Sequence, residues 1–416
     1  MVKIEQKQNK LKWITVIGIG EDGLDGLTSH AKQLLKSADH IFGGARHLAL
    51  LSDNKLNAIL HVWPKPLLLA IDQIKLLKGQ SVVILASGDP MHFGVGATLV
   101  RYFSIDEIDV IANPSSFSLA ASRLGWALQD VECLSIHGRP IEGIVPAFQD
   151  NAKLLILSND GESIWNVSKL LVERGFSNSS VTLLENLGGH KERQFSNTAS
   201  SINQDNHTIT DISDLNVLAV ECHKDRATIG LSRFASLPDC AFEHDGQITK
   251  QDIRAVTMAH LSPQLGETLW DIGAGCGSIS IEWMRTNNKM KAIAVERNAD
   301  RCQLIRKNAF KLGAADLEIV NAEAPDALRN LKQPDAIFIG GGFTDNATVE
   351  YCWDALKSGG RLIANTVTLE SEALAQKYAN AWQGRLIKIA VSSAEPLGRF
   401  HTWRTALPIT ILICEK

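Results

Sequence analysis

The residues with the clearest capacity for chemistry are Asp271-Ile272-Gly273-Ala274-Gly275-Cys276-Gly277, with Glu296 nineteen positions beyond Gly277. Leu269 to Ile272 reads as a buried strand that breaks into a glycine turn. Ala292 to Val295 reads as a second strand ending on the Glu296 carboxylate. Glycines let the backbone pass close beneath a ligand where a Cβ would collide. A carboxylate at the tip of the next strand suits the paired hydroxyls of a ribose. The spacing G-x-G-x-G after an acid differs from the dinucleotide pattern G-x-G-x-x-G. It favours S-adenosylmethionine (AdoMet), which has no pyrophosphate to seat on a helix N-terminus. The competing reading is a tight turn in an unrelated α/β protein, with Glu296 a solvated strand end. Cys276 fits as a small residue inside the turn rather than as a nucleophile.

The first half carries glycine chemistry of its own. Ile17-Gly18-Ile19-Gly20-Glu21-Asp22-Gly23 follows an opening apolar run, and Ser87-Gly88-Asp89-Pro90 follows a later one. Gly94, Gly96 and Pro114-Ser115-Ser116 come next. All lie just past strand C-termini, where open α/β sheets place ligands. Gly18, Gly20 and Gly23 match G-x-G-x-x-G and invite a nicotinamide reading. Against it, Ile41-Phe42-Gly43-Gly44 stands where the acid ending a second strand is required. Gly88-Asp89-Pro90 by itself reads equally as an ordinary turn, since turns prefer these residue types.

These loops need elements to hold them. In the first half, Trp13 to Ile17, Val82 to Leu85, Leu154 to Leu157, Val181 to Leu184 and Val217 to Val220 are short apolar or β-branched runs. Amphipathic stretches such as Ser29 to Ala38 and Ser163 to Arg174 separate several of them. The pattern weakens over Glu221 to Glu243, which reads as a linker. A helix over Ile248 to Leu261 then reopens the pattern. Strands recur at Leu269 to Ile272, Ala292 to Val295, Leu317 to Val320, Ala336 to Ile339 and Arg361 to Ala364, and Lys388 to Val391 with Ile409 to Cys414 suggests a hairpin at a sheet edge. Such alternation implies α/β domains with mostly parallel sheets covered on both faces. No repeat of fixed period is present, so the halves read as a fusion, 1–238 and 239–416.

Composition narrows the class. A chain of 416 residues with 45% hydrophobic and 21% charged residues can bury a large core in two or three domains. A net charge of −4 gives no general nucleic-acid or membrane surface. The seven cysteines are scattered without a C-x-x-C pair, which argues against a zinc cluster or disulfide framework and fits a reducing cytoplasm. Met1 to Lys12 is polar and lacks an apolar signal core, and no run is long enough to span a membrane.

The first half resembles the tetrapyrrole methylases, in particular their corrin-pathway branch. The resemblance rests on Val16-Ile17-Gly18-Ile19-Gly20, Ser87-Gly88-Asp89-Pro90 with Phe93-Gly94, Pro114-Ser115-Ser116-Phe117-Ser118-Leu119-Ala120, and Arg123-Leu124-Gly125-Trp126 leading to His137-Gly138-Arg139. The second half is similar to the decarboxylating corrin methyltransferases, a class I AdoMet fold of Rossmann-like type. Here the matching pieces are Ile248-Thr249-Lys250 with Arg254, Asp271 to Gly277, Ser280-Ile281-Glu282, Val295-Glu296-Arg297-Asn298, Ala322-Glu323-Ala324-Pro325, Pro334 to Gly342, and Leu356 to Gly360 with Asn365. One departure is Glu21-Asp22 in the first glycine loop, where family members often carry a proline.

The resemblance implies a bifunctional enzyme of cobalamin synthesis, with one AdoMet in each half. It would methylate two meso carbons of one tetrapyrrole and remove an acetate carboxyl. By that resemblance Asp271, Gly273, Ala274, Gly275, Cys276 and Gly277 shape the second AdoMet pocket, and Glu296 holds its ribose. Glu323 and Ala324 line its adenine, and Thr249 approaches its methionine end. Gly88, Asp89, Ser115 and Ser116 are the contacts of the first pocket. The substrate is a polycarboxylate, for which Arg254, Arg399, His401, Arg404, His92, His137 and Arg139 are candidate partners. Each of these also reads as a solvated or helix-capping charge. Gly340 to Gly342 would let a flat ring approach the backbone. No metal is expected, and related domains imply a homo-oligomer. Three rival functions compete with this one. An RNA or protein methyltransferase would require a basic face and leaves the first half without a role. A nicotinamide oxidoreductase would use Gly18 to Gly23, and a non-catalytic nucleotide-binding module would transfer no methyl group to any tetrapyrrole.

Overall fold

The computed structural model describes residues 12–51, 56–204, 209–233 and 236–416. Most of the polar N-terminus and two positions of the expected linker lie outside them. The chain forms two compact units, one of Met1–Gly138 with Asn151–Arg226, the other of Arg139–Asp150 with Ala227–Lys416.

The first unit holds two sheets. The strands β1 (Ile14–Ile19), β2 (His40–Gly43), β3 (Ile59–Val62), β4 (Val82–Ser87) and β5 (Ile108–Ile111) form a parallel sheet in the order β3-β2-β4-β1-β5. Alternate residues feed two apolar layers. Val16, Val82 and Ile84 pack with Ile74 and Leu99 on one face, and Ile17, Val83 and Leu85 with Ala31 and Leu35 on the other. Burial on both faces is why these strands read as continuous apolar runs. The crossovers from β1 and from β4 leave in opposite directions along the sheet, so the switch point falls between these two adjacent strands.

The second sheet differs from expectation. It contains β6 (Glu132–Ser135), β7 (Lys153–Leu157), β8 (Ser180–Glu185), β9 (Arg193–Thr198) and β10 (Asn216–Glu221), in the order β6-β7-β10-β8-β9. Only β6 and β7 are parallel; the other pairs are antiparallel. The helix Ser163–Glu173 does link β7 to β8 as the alternation suggests, but β10 later inserts between them in the reverse direction.

In the second unit, β11 (Thr268–Ile272), β12 (Lys291–Val295), β13 (Glu318–Val320), β14 (Ala336–Ile339), β15 (Arg361–Thr366), β16 (Arg385–Ile389) and β19 (Ile409–Glu415) form one seven-stranded sheet. The order is β13-β12-β11-β14-β15-β19-β16, parallel as far as β15 and antiparallel beyond it. Thus β16 and β19 do pair antiparallel at the sheet edge, with β16 outermost and starting at Arg385 rather than Lys388, and β19 inside it next to β15. The segment between β16 and β19 forms a separate hairpin, β17 (Ser392–Leu397) with β18 (Phe400–Thr405). The weak pattern before residue 243 is not a free linker throughout either. Leu237, Ala241 and Phe242 are buried with Met258, Leu269 and Trp283 in the core of this unit. The helix expected from Ile248 begins at Gln251 and ends at Leu261.

Candidate functional site

In the second unit the chain runs from β11 outward to β12 and β13, then returns to β14 on the other side of β11. The switch point therefore lies between β11 and β14. The turns after these strands touch: a Cβ added at Gly273 would lie 2.7 Å from the Gly341 Cα. Gly273 (φ 68°) and Gly277 (φ 79°) both occupy the left-handed region, so the crowding and the dihedral call for the same residue type. Gly277 also leads directly into the helix Ser278–Arg285.

Two buried carboxylates frame this turn. Glu296, at the tip of β12, accepts from the Gly275 amide (3.0 Å) and from the Asn298 amide (2.9 Å). It thereby ties the glycine turn to the next strand. Asp271 is buried, and its Oδ2 accepts from the amide (3.1 Å) and hydroxyl (2.6 Å) of Ser280. Its Oδ1 is buried without a hydrogen-bond partner. Desolvation pushes the Asp271 carboxyl up to about 6, against the pull of Ser280. A buried acceptor of this kind is costly unless a ligand supplies a donor, and AdoMet carries donors in its ammonium and ribose hydroxyls. The chemistry of the residues fits that cofactor.

The segment leading into the second unit is held against the same turn. Asn308, itself buried, accepts from the Glu243 amide (2.8 Å), and its amide group donates to the carbonyls of Glu243 (2.8 Å) and Cys276 (3.0 Å). The Gln247 carbonyl lies 3.6 Å from where a Gly275 Cβ would stand. Cys276 is buried and its thiol is pushed up to about 11 by desolvation, so it is no nucleophile at neutral pH. Thr249 is half-buried, its carbonyl taken by Arg254. Glu323 is exposed in a 3.0 Å ion pair with Arg297, whereas Ala324 packs against the buried core. Ser280 and Asn298 are quoted in the sequence motifs, but the supporting roles of Gln247 and Asn308 are not visible there. Both stand far along the chain from the atoms they meet.

Arg254 requires a correction. It is completely buried, paired with Glu282 (2.6 Å) and Asp239 (3.1 Å), and donates to the carbonyls of Thr249 and Leu237. These acceptors leave it no face for a substrate; it clamps the segment 237–250 onto two helices. Arg399, His401 and Arg404 stand exposed on the β17–β18 hairpin, Arg404 paired with Glu395 at 3.0 Å. Exposed Leu397, Phe400 and Trp403 share that hairpin.

The first unit repeats the arrangement with different residues. A side chain at Gly18 would strike the Gly88 carbonyl, and Gly88 (φ 55°) has Pro114 O and Ser115 Cα 3.0 and 3.1 Å from a virtual Cβ. The Gly88 amide donates to the Ile19 carbonyl (3.0 Å), and the Asn113 amide donates to the Gly88 carbonyl (3.3 Å). Loops after β1, β4 and β5 therefore meet at the switch point. Asp89 accepts from the Met91 amide (2.8 Å), and Ser115 caps the helix Ser116–Leu124 through the Ser118 amide (3.2 Å). His92 packs against Phe93 and Phe117, with ring centroids 5.3 and 4.8 Å away. Phe93 adopts a positive φ of 57°, an outlier for a bulky side chain, and remains exposed beside Met91. His137 is exposed after β6. Arg139, expected in the first half, opens the segment that packs with the second unit.

Among the described residues, no group of three His, Cys, Asp or Glu could hold a metal ion, and no helix is long and apolar enough to cross a membrane. Comparison with known proteins accounts for both units. Residues 14–203 match the model of the tetrapyrrole (corrin/porphyrin) methylases, and residues 240–416 match that of the precorrin methyltransferase domain. A precorrin-6Y C(5,15)-methyltransferase [decarboxylating] of Sinorhizobium sp is 45% identical, covering 96% of this chain and 95% of the relative. Its counterpart in Mycobacterium tuberculosis (strain ATCC 25618 / H37Rv) is 39% identical over 95% of this chain and 98% of the relative. The crystal structure of the C-terminal domain of the Rhodobacter capsulatus precorrin-6Y C5,15-methyltransferase is 42% identical, with a TM-score of 0.43, covering 45% of this chain and all of that one. With two glycine-lined switch points in one chain and relatives matched from end to end, the protein belongs to the family of decarboxylating precorrin-6Y C(5,15)-methyltransferases, enzymes that use AdoMet as methyl donor.

Proposed function

We propose that this chain methylates precorrin-6Y at carbons 5 and 15 and decarboxylates the ring C acetate, with one AdoMet in each unit. The carrying observation is that each unit has its own complete glycine-lined switch point, combined with near end-to-end similarity to relatives of that name. When bound, AdoMet supplies a methyl already attached to an electron-poor sulfur, so an electron-rich meso carbon attacks it directly. The protein's part is alignment and exclusion of water.

In the second unit, Asp271 Oδ1 accepts a donor of the cofactor, Glu296 uses its remaining lone pairs on the ribose, and Gly273 to Gly277 form the floor. By the same resemblance Thr249 meets the methionine end of that cofactor, and Glu323 and Ala324 meet its adenine. In the first unit, Gly88, Asp89, Ser115 and Ser116 hold the second AdoMet, and exposed Met91 and Phe93 offer an apolar face to the flat macrocycle. Arg399, His401 and Arg404 face solvent on the β17–β18 hairpin, where their N–H groups can meet acidic substituents. The decarboxylation falls to the unit with the Asp271 turn, whose motifs resemble those of the decarboxylating corrin methyltransferases and whose residues 240–416 match the precorrin methyltransferase domain.

Mass spectrometry of precorrin-6Y after incubation with AdoMet tests this reading. The expected product has gained two methyls and lost one carbon dioxide. Asp271→Ala and Asp89→Ala should each stall a different methylation. A tetrapyrrole recovered unchanged from a chain that still binds AdoMet would overturn the substrate, and the cobalt-containing analogue would be tried next.

A further inference from the structure

A polar cluster on the first unit's strand tips has no part in the assignments above. Arg46 and His47 lie in the short helix Ala45–Ala49 after β2, Ser87 ends β4, and Glu21 lies in the glycine loop after β1. Arg46 Nη2 donates to Ser87 Oγ (2.8 Å) and to His47 Nε2 (3.0 Å), while Nη1 pairs with Glu21. A guanidinium has donors only, so His47 Nε2 is the unprotonated ring nitrogen. Ser87 Oγ stands 2.9 Å from the same nitrogen and turns its hydroxyl proton toward it. The His47 proton therefore resides on Nδ1, which is buried without a hydrogen-bond partner. Burial first, and Arg46 second, push this histidine down to about 4, so it stays neutral.

A purely structural histidine would satisfy its buried N–H. Here that N–H is left unmet while Nε2 is aimed at Arg46 and Ser87, and both of these reach the surface. Glu21 fixes the guanidinium from one side, and Glu21 is itself crowded by the turn after β8. A Cβ at Gly189 would lie 2.7 Å from the Glu21 Cβ. The guanidinium is thus held where the loop after β1 meets the turn after β8, and Ser87 immediately precedes the Gly88-Asp89 turn.

We propose that Arg46, aligned by His47 and Ser87, forms a carboxylate-recognition site that grips one acidic side chain of the tetrapyrrole during the first unit's methyl transfer. The inference rests on the substrate reading given above. Arg46 donates to the carboxylate oxygens through the guanidinium hydrogens that Ser87, His47 and Glu21 leave free, and His47, with Ser87 donating to it, is a positioning residue that holds the guanidinium in register. Because Ser87 abuts the cofactor turn, an acid gripped here sets the macrocycle's meso edge beside the methyl donor.

The test uses the full chain and precorrin-6Y, with binding followed by quenching of tryptophan fluorescence and AdoMet binding followed by calorimetry. Arg46→Gln should weaken tetrapyrrole binding by about tenfold to a hundredfold, the range of one charge-assisted hydrogen-bonded contact. Arg46→Lys keeps the charge but loses the fork and should fall between. His47→Gln should raise KM in the first methylation far more than it lowers kcat. AdoMet binding and the decarboxylation should be unchanged in all three, which also shows that the variants fold. Arg46→Gln with the wild-type tetrapyrrole affinity overturns the inference while the substrate reading stands. Parallel loss of AdoMet binding in Arg46→Lys and His47→Gln overturns it in favour of a structural role. Failure of the wild-type chain to bind any tetrapyrrole removes the substrate reading and this site with it.

Discussion

At the scale of single residues, the two acids of the second unit's turn do different work. Glu296 has both oxygens engaged by backbone amides, whereas Asp271 keeps one oxygen buried and unpaired. Its carboxyl, raised to about 6 by burial, favours the protonated form in the folded state. The unfolded chain, with an ordinary carboxylate, ionises first as pH rises. Asp271 therefore withdraws stability between about pH 4 and pH 6, and the effect is complete above that range. Asp271→Asn cannot ionise. Urea denaturation should show the stability of wild type relative to Asp271→Asn falling across that window and levelling off above it. The same variant should lose AdoMet affinity, because a carboxamide cannot give the cofactor a charged acceptor. Cys276 makes the opposite case: its thiol stays protonated, so Cys276→Ala should keep methyl transfer within a few-fold. A hundredfold loss would reinstate it as a reacting group.

At the scale of elements, function depends on which loops meet. The tips of β1 and β4 approach so closely that Gly18 has no room for a methyl group against the Gly88 carbonyl. Gly18→Ala should separate these loops and abolish the first unit's methylation, leaving decarboxylation intact; product analysis by mass spectrometry reads both at once. The entry segment of the second unit depends on a buried ion pair instead. Arg254→Met would leave Glu282 without its charge partner in the interior, a change that typically costs roughly 3–5 kcal/mol. The Arg254→Met, Glu282→Gln double variant should recover part of that loss in chemical denaturation. Recovery distinguishes a clamp from a substrate contact, since a lost substrate contact would leave stability unchanged.

At the scale of the whole molecule, the chain joins two units with unrelated sheet orders, each with its own switch point. Separate sites predict separable steps. A mixture of Gly18→Ala chains and Asp271→Asn chains should convert precorrin-6Y to the doubly methylated, decarboxylated product, each chain supplying the step the other lacks. If only singly methylated products accumulate, both steps require intact units on one chain.

The glycine turn Asp271 to Gly277, its Glu296 partner and the parallel strands around them are legible in sequence because their causes are local. Positive φ at Gly273 and Gly277 demands glycine, and strands covered on both faces demand unbroken apolar runs. Similar local cues mark Gly88 and the cap at Ser115. Strands β2, β3, β5 and β6 are each interrupted by a polar residue or glycine, at His40 and Gly43, His61, Asp109, and Glu132 and Ser135, so none leaves the unbroken apolar run that marks β14. Strand neighbours are also decided late. The insertion of β10 between β7 and β8, and of β19 between β15 and β16, follows from pairing across long chain separations, which periodicity does not encode. Charged residues show the same division. Arg254 sits on a helix like any solvated arginine, yet its acceptors on Asp239, Glu282, Thr249 and Leu237 converge only when the unit folds. Arg46, His47 and Ser87 meet across about forty positions of chain, on tips that only the parallel sheet brings side by side. Residue type and dihedral preference thus determined where a ligand-binding backbone could form. Long-range strand order and burial decided which side chains reach it.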